Sequence, residues 1–153
     1  KAVFLKQEKV IDAIKNYGKN DFSVILLDRI KSEFISMEKH KFEMDHDWFE
    51  IGERLEVLGR VEYTKLRLDI IKKGEELVKS GKYVERVDGE EKRLSLTDCI
   101  LLEYAIALDS AVLVTGDRRL LKATKKEAQF RKSSTDVLYP YDPEKPVDNI
   151  RFY

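Results

Sequence analysis

The sequence predicts an α/β protein, a three-layer sandwich in which a central, mainly parallel β-sheet is flanked by helices. Short runs of branched and aromatic residues, such as 22–27 (FSVILL) and 111–115 (AVLVT), have the length and composition of strands that are buried on both faces. These runs alternate with longer segments whose apolar residues recur at helical spacing. Such alternation is typical of a parallel sheet covered by helices, in which ligand sites form at the carboxyl ends of the strands.

The composition favours one folded domain that spans residues 1–153. With 42% hydrophobic residues, seven Gly and three Pro, the chain can bury a core, which excludes a disordered or collagen-like protein. Basic and acidic residues number 29 each, so the net charge is zero and a polyanion must be held by a local patch. Cys99 is the only cysteine, and no apolar run reaches the roughly 18 residues of a membrane span. We therefore expect a cytoplasmic protein without an internal disulfide, a signal sequence or membrane association.

Four elements are predicted in the N-terminal part of the chain. Residues 2–5 form a short apolar run of the kind found in buried strands, and a helix follows at 10–17. Residues 22–27 are the next strand. A helix then begins near Asp28, and its apolar stripe leaves Glu33 beside the stripe rather than on the far face of the helix.

The next segment, at about 38–80, is predicted to be a charged helical insert. Its apolar residues keep a helical rhythm with small breaks at glycines, and most of its charges are expected on a solvated outer face. Residues 81–93 are predicted to form a loop or a small hairpin, because Asp88-Gly89 is a turn signal.

The C-terminal part has the most regular pattern. Ser95 offers a start for a helix that is apolar on most sides and therefore buried. The strand 111–115 follows. A further helix opens at Leu120 and fades into a basic segment, and residues 135–139 (TDVLY) form the last strand before three prolines interrupt regular structure.

Three carboxylates are predicted to face one crevice at the carboxyl ends of the strands: Glu33, Asp98 and Asp117. A carboxylate cluster is the ligand set that Mg²⁺ and Mn²⁺ prefer, and a water on such an ion is a nucleophile for phosphodiester hydrolysis. Each residue also has an ordinary structural explanation. Asp98 lies in the first turn of a helix, Asp117 can be a turn or N-cap residue, and Glu33 can lie on the surface.

Three segments resemble the PIN-domain family. Residues 94–121 (LSLTDCILLEYAIALDSAVLVTGDRRLL) resemble its C-terminal half, in which one Asp starts a helix and a second stands in a T-x-D turn after the next strand. Residues 23–34 (SVILLDRIKSEF) resemble the family's earlier strand and acid-bearing helix, and residues 135–140 (TDVLYP) stand where it has its last strand.

This resemblance implies a PIN-like sandwich and a metal-dependent endoribonuclease, in some members the toxin of a VapC-type toxin and antitoxin pair. Glu33, Asp98 and Asp117 would be the catalytic residues that hold Mg²⁺ or Mn²⁺, and Thr115 would order the turn before Asp117. The partners implied are single-stranded RNA, a cognate antitoxin and a second copy of the chain in a homodimer.

Two features depart from the family's pattern. PIN domains begin with a strand that runs into Asp-Thr-Asn or Asp-Thr-Ser, and the chain has no such motif. Either residues 2–5 are that strand and Lys6 stands in the place of the metal-binding motif, which would make the protein inactive, or the chain begins after the motif. The spacing to Glu33 favours the second alternative, whereas the exposed apolar slot left by a missing strand favours the first. In addition, Arg119 stands where many members carry a further acid.

A basic cluster follows Asp117 directly and extends to Lys132. Lys and Arg neutralise phosphates without reading sequence, so that RNA contacts are predicted for five of its residues: Arg118, Arg119, Lys122, Lys125 and Lys126. A solvated helix face is the alternative, and Glu127 is the one acid in the run. The competing function is a catalytically inactive PIN-like module that binds RNA or protein through the same surface.

Overall fold

The structure is a computed structural model that describes residues 7–17, 22–27, 56, 59–65, 67–139 and 152. The elements follow in the order α1 (Gln7–Asn16), β1 (Phe22–Leu27), β2 (Gly59–Thr64), α2 (Leu68–Lys79), β3 (Val84–Val87), β4 (Glu90–Arg93), α3 (Leu96–Leu108), β5 (Val112–Val114), α4 (Arg118–Phe130) and β6 (Asp136–Leu138). The predicted mixed α/β class is confirmed. The three-layer, PIN-like sandwich stays a prediction.

The chain divides into two compact units, of which one is Val3–Leu66 and the other is Arg67–Tyr153 together with Lys1–Ala2. The single domain with an insert at about 38–80 stays a prediction. Every helix in the described ranges is too short or too polar to cross a lipid bilayer.

In the first unit, β1 and β2 form a parallel pair whose register runs from Phe22 opposite Gly59 to Leu27 opposite Thr64. The strand predicted at 22–27 and the helix predicted at 10–17 are confirmed. The strand predicted at 2–5 and the helix predicted near Asp28 lie outside the described residues.

The prediction of a helical insert was wrong for residues 59–64, which form β2. Val61, Tyr63 and Thr64 are branched or aromatic residues that favour extended backbone. They pair with β1, more than thirty positions earlier in the chain. A local hydrophobic rhythm does not reveal a pairing partner at that distance, which is why the helical interpretation failed here.

In the second unit, β3 and β4 form the hairpin that the turn signal predicted. The two residues between the strands, Asp88 and Gly89, have φ values of 52° and 80°. A two-residue turn with both φ values positive matches the right-handed twist of the flanking strands, and Asp-Gly is among the pairs that adopt it most readily.

The core of this unit lies where α2, α3 and α4 meet the start of the hairpin. It is formed by buried residues from all of these segments: Leu77, Tyr83, Leu94, Cys99, Leu102, Leu120 and Ala123. Gly74 lets α2 approach α3 closely, since a Cβ atom at this position would stand 2.6 Å from Ile100 Cγ1. Side-chain size at Gly74 therefore sets the distance between these two helices.

The segment α3–β5–α4–β6 carries the predicted site residues. Ser95 is the N-cap of α3, as the sequence predicts, and β5 and β6 pair in parallel through Leu113 and Val137. A short loop joins α3 to β5, and α4 is the crossover that returns the chain to β6. The helix predicted to fade after Leu120 instead spans Arg118–Phe130 and includes most of the basic segment.

Candidate functional site

Asp117 follows β5 and caps α4. Its Oδ1 accepts hydrogen bonds from the backbone N–H groups of Arg119 at 2.8 Å and Leu120 at 3.1 Å, while its own N–H donates to Thr115 Oγ1 at 3.0 Å. These bonds hold an exposed carboxylate at the carboxyl end of a parallel strand. Thr115 is buried and orders the turn, as the resemblance implies.

Asp98 lies in the first turn of α3 and completes a capping box with Ser95. Its N–H donates to Ser95 Oγ at 3.1 Å, and its Oδ2 accepts from the Ser95 N–H at 3.2 Å. The ordinary structural roles considered for Asp98 and Asp117 are therefore both real. They do not exclude a metal, because a carboxylate has two oxygens and about four acceptor positions.

The segments that carry these two carboxylates pack against the same core. Cys99, which follows Asp98, and Leu120, in the turn capped by Asp117, belong to the same buried cluster, and Leu113 of β5 packs against it. Glu33, the third predicted ligand, lies outside the described residues. Within the ranges that the structure describes, no three His, Cys, Asp or Glu side chains stand close enough together to hold a metal ion.

Carboxylate oxygens are the ligands that Mg²⁺ and Mn²⁺ prefer. Mg²⁺ keeps several waters and is commonly held by one or two carboxylates together with substrate phosphates. Asp98 and Asp117 offer hard oxygen donors, and neither His nor Cys is required. Cys99 is buried, and its burial raises the pKa of the thiol to about 12, which disfavours a thiolate ligand or nucleophile.

Four basic residues lie on one side of α4, where Lys125 and Lys126 are exposed and Arg118 and Lys122 are half-buried. Arg118, Lys122, Lys125 and Lys126 recur at intervals of four, three and one residues and thus share one face of the helix. Glu127, the one acid in the run, is 1% exposed on the opposite, buried face. A local basic patch is therefore present on α4.

Two arginines of the basic segment are engaged by carboxylates. Arg119 donates from Nε to Glu85 Oε2 of β3 at 2.6 Å, in an ion pair that is largely shielded from solvent. Arg131 lies at the end of α4 and is held by Glu103 and Glu127. Arg131 belongs to the predicted basic cluster, but its guanidinium binds these two buried carboxylates instead of being free in solvent.

The buried cluster around Arg131 is not among the features predicted from the sequence. Arg131 donates from Nη1 and Nη2 to both oxygens of Glu103, at 2.6 and 2.5 Å, and from Nε to Glu127 Oε2 at 2.7 Å. Tyr83 Oη donates to Glu127 Oε1 at 2.6 Å, and Lys82 Nζ lies 2.5 Å from the same oxygen. The cluster thus ties α3, α4 and the segment before β3 together.

The charged groups of this cluster stabilise the ionised forms of Glu127 and Arg131. Burial favours the neutral form of Glu127, but the hydrogen bonds from Lys82 and Tyr83 and the charge of Arg131 outweigh it, so that the pKa of Glu127 is lowered. The hydrogen bonds from Arg131 to Glu103 raise the pKa of the guanidinium. Burial, together with the bond to Glu127, raises the pKa of Tyr83. Glu127 and Arg131 are therefore charged at neutral pH and Tyr83 is neutral.

A signal for this cluster exists in the sequence. Glu103 is the one acid between Cys99 and Leu108, within a helix that is otherwise apolar on most sides. An acid on such a helix must be buried, and a buried carboxylate needs a cationic partner. The pairing with Arg131, 28 residues away, becomes visible only in three dimensions.

Comparisons with protein-family models, with characterised proteins and with solved structures found no match for this chain.

Proposed function

We propose that the protein is a PIN-type endoribonuclease that depends on Mg²⁺ or Mn²⁺. The observation that carries the proposal is the position of Asp117, an exposed carboxylate directly after the parallel strand β5 and at the start of a basic helix. Asp98 is the second proposed ligand, since the first turn of its helix packs against the same core. Glu33 is the third, on the basis of the sequence alone.

The proposed chemistry is hydrolysis of a phosphodiester bond. A divalent ion bound here would lower the pKa of a bound water and neutralise charge on the phosphate in the transition state. Backbone N–H groups donate hydrogen bonds that hold the carboxylates of Asp117 and Asp98 in place, which limits the reorganisation needed when a metal ion binds. The positive end of the α4 dipole and the basic face of α4 draw the phosphates of RNA to the Asp117 end of the helix.

The remaining parts of the proposal rest on the sequence. Single-stranded RNA is the proposed substrate, and the proposed protein partners are a cognate antitoxin and a second copy of the chain. The single cysteine supports a cytoplasmic location.

The direct test is cleavage of single-stranded RNA by the purified protein. We expect endonucleolytic products with Mn²⁺ or Mg²⁺ and none with EDTA, because the proposed nucleophile is a water on the ion. Gel electrophoresis of an end-labelled, unstructured RNA measures this. Equal cleavage with and without EDTA would reject the metal-dependent mechanism.

A second candidate is a PIN-like module that binds RNA without cleaving it. It is favoured by the basic residues of α4, which lie on one side of the helix and need no metal to bind phosphates. Binding and cleavage assays on the same purified protein distinguish the two functions. Salt-sensitive RNA binding in EDTA, with no cleavage in Mn²⁺, identifies the binding module.

A further inference from the structure

Phe130 is a large aromatic residue whose side chain is mostly in solvent. It is the last residue of α4 and is 75% exposed. A single exposed apolar residue needs no explanation. Phe130, however, forms one wall of a cleft of about 400 Å³ that is also lined by Lys73, Glu76 and Ser80. The cleft is open to solvent, so that the ring of Phe130 is accessible to a partner.

The ring of Phe130 is next to a fixed positive charge. Lys82 Nζ lies over one face of the ring, 4.2 Å from its centroid, in a cation–π contact. The same ammonium is ion-paired to the buried Glu127 at 2.5 Å, so that its position is set by the interior. An exposed aromatic ring beside lysines is the combination on which the bases of single-stranded nucleic acids stack while cations contact the backbone.

Phe130 and Asp117 lie at opposite ends of α4, a spacing that suits an extended single strand of RNA. The helix α4 has 13 residues, which corresponds to about 20 Å from its first turn to Phe130. Between these ends α4 carries the half-buried Lys122 and the exposed Lys125 and Lys126. An RNA strand bound along α4 would meet Asp117 at one end of the helix and Phe130 at the other.

We propose that Phe130 stacks on a nucleobase of single-stranded RNA whose phosphates follow the exposed face of α4 from Asp117. This inference rests on the proposed ribonuclease function, because the same strand supplies the phosphodiester bond that is cut. It adds a requirement for substrate length, since a dinucleotide cannot occupy both ends of α4.

Binding of a labelled oligouridine, long enough to span α4, tests the proposal by fluorescence anisotropy in EDTA. We expect Phe130→Ala to weaken binding about 5- to 150-fold, the range measured for loss of one stacked base. Phe130→Trp is expected to keep the affinity and to show tryptophan quenching when RNA binds. The matched control is Leu68→Ala, at a leucine on α2 that is 76% exposed, and its affinity is expected to equal that of the wild type.

Two results would overturn the proposal. One is equal affinity of Phe130→Ala and the wild-type protein, with no quenching of the new tryptophan in Phe130→Trp. The other is a change in self-association on Phe130→Ala without a change in RNA affinity, which assigns the residue to a protein interface. Sedimentation of the wild-type protein and of Phe130→Ala measures this self-association.

The test also separates this inference from the proposed function. Binding is measured in EDTA, where metal-dependent cleavage does not occur, and cleavage is measured separately in Mn²⁺. RNA binding that depends on Phe130, in a protein that does not cleave, supports the stacking site and rejects the nuclease. Cleavage that depends on Asp117, with RNA binding that is indifferent to Phe130, supports the nuclease and rejects the stacking site.

Discussion

Replacing Asp117 by Asn is expected to lower Mn²⁺-dependent RNA cleavage at least about 100-fold. Loss of a residue that only supports a metal ligand costs about 10- to 100-fold, so loss of a ligand should reach or exceed the upper end of that range. Asn is as good an N-cap as Asp, and the bonds to the N–H groups of Arg119 and Leu120 can persist. The reduced activity would therefore report the lost charge rather than a frayed helix. Initial rates of RNA cleavage measure the effect.

The control for charge is Glu75→Gln, which removes one negative charge from the exposed surface of α2. Its rate is expected to equal that of the wild type. Asp98→Asn should behave like Asp117→Asn, because the amide oxygen can still accept from the Ser95 N–H and keep the capping box. Wild-type rates in both aspartate variants would remove Asp98 and Asp117 from the active site.

Replacing Arg131 by Met is expected to destabilise the protein by about 3 kcal/mol. Removal of one partner from a buried ion pair costs about 3–5 kcal/mol, because the remaining charge stays buried without compensation. The lower end applies here, since the Arg131 side chain is 32% exposed while Glu103 is 4% exposed. Urea denaturation followed by circular dichroism measures the free energy of unfolding.

The matched control is Arg93→Met on β4, where the arginine is exposed and pairs with the exposed Glu91. Surface ion pairs contribute about 0–1 kcal/mol, so this variant should stay close to the wild type. The double variant Glu103→Leu/Arg131→Met should recover part of the lost stability, because it also removes the stranded carboxylate. Equal stability of Arg131→Met and Arg93→Met would mean that the buried cluster does not form in solution.

Local signals were enough to predict much of the second unit. The Asp88-Gly89 turn specifies its hairpin through the positive φ values that these residues accept, and Ser95 specifies the start of α3 by capping it. The position of Asp117 directly after β5 was likewise predicted from the run of branched residues before it. In each case the determining interaction lies within a few residues along the chain.

Interactions between distant residues were not predictable in this way. Strand β2 forms because β1 provides a partner, and a window around Val61 does not contain that partner. The residues around Arg131 in the sequence are typical of a surface cation, and its contact with Glu103 of α3 appears only in the folded structure. The side of α4 that carries Lys125 and Lys126 has no acid because Glu127 is buried, and the local hydrophobic pattern does not predict that burial.

We propose that Asp98 and Asp117 bind one divalent ion, and a Mn²⁺ titration followed by amide NMR spectra is a direct test. Mn²⁺ broadens the signals of nuclei close to it. At low Mn²⁺ we expect the amides of Asp98, Cys99, Asp117 and Arg118 to broaden first and together. Broadening that begins at exposed acids elsewhere, such as Glu75 or Glu90, and leaves these four amides sharp would contradict the claim.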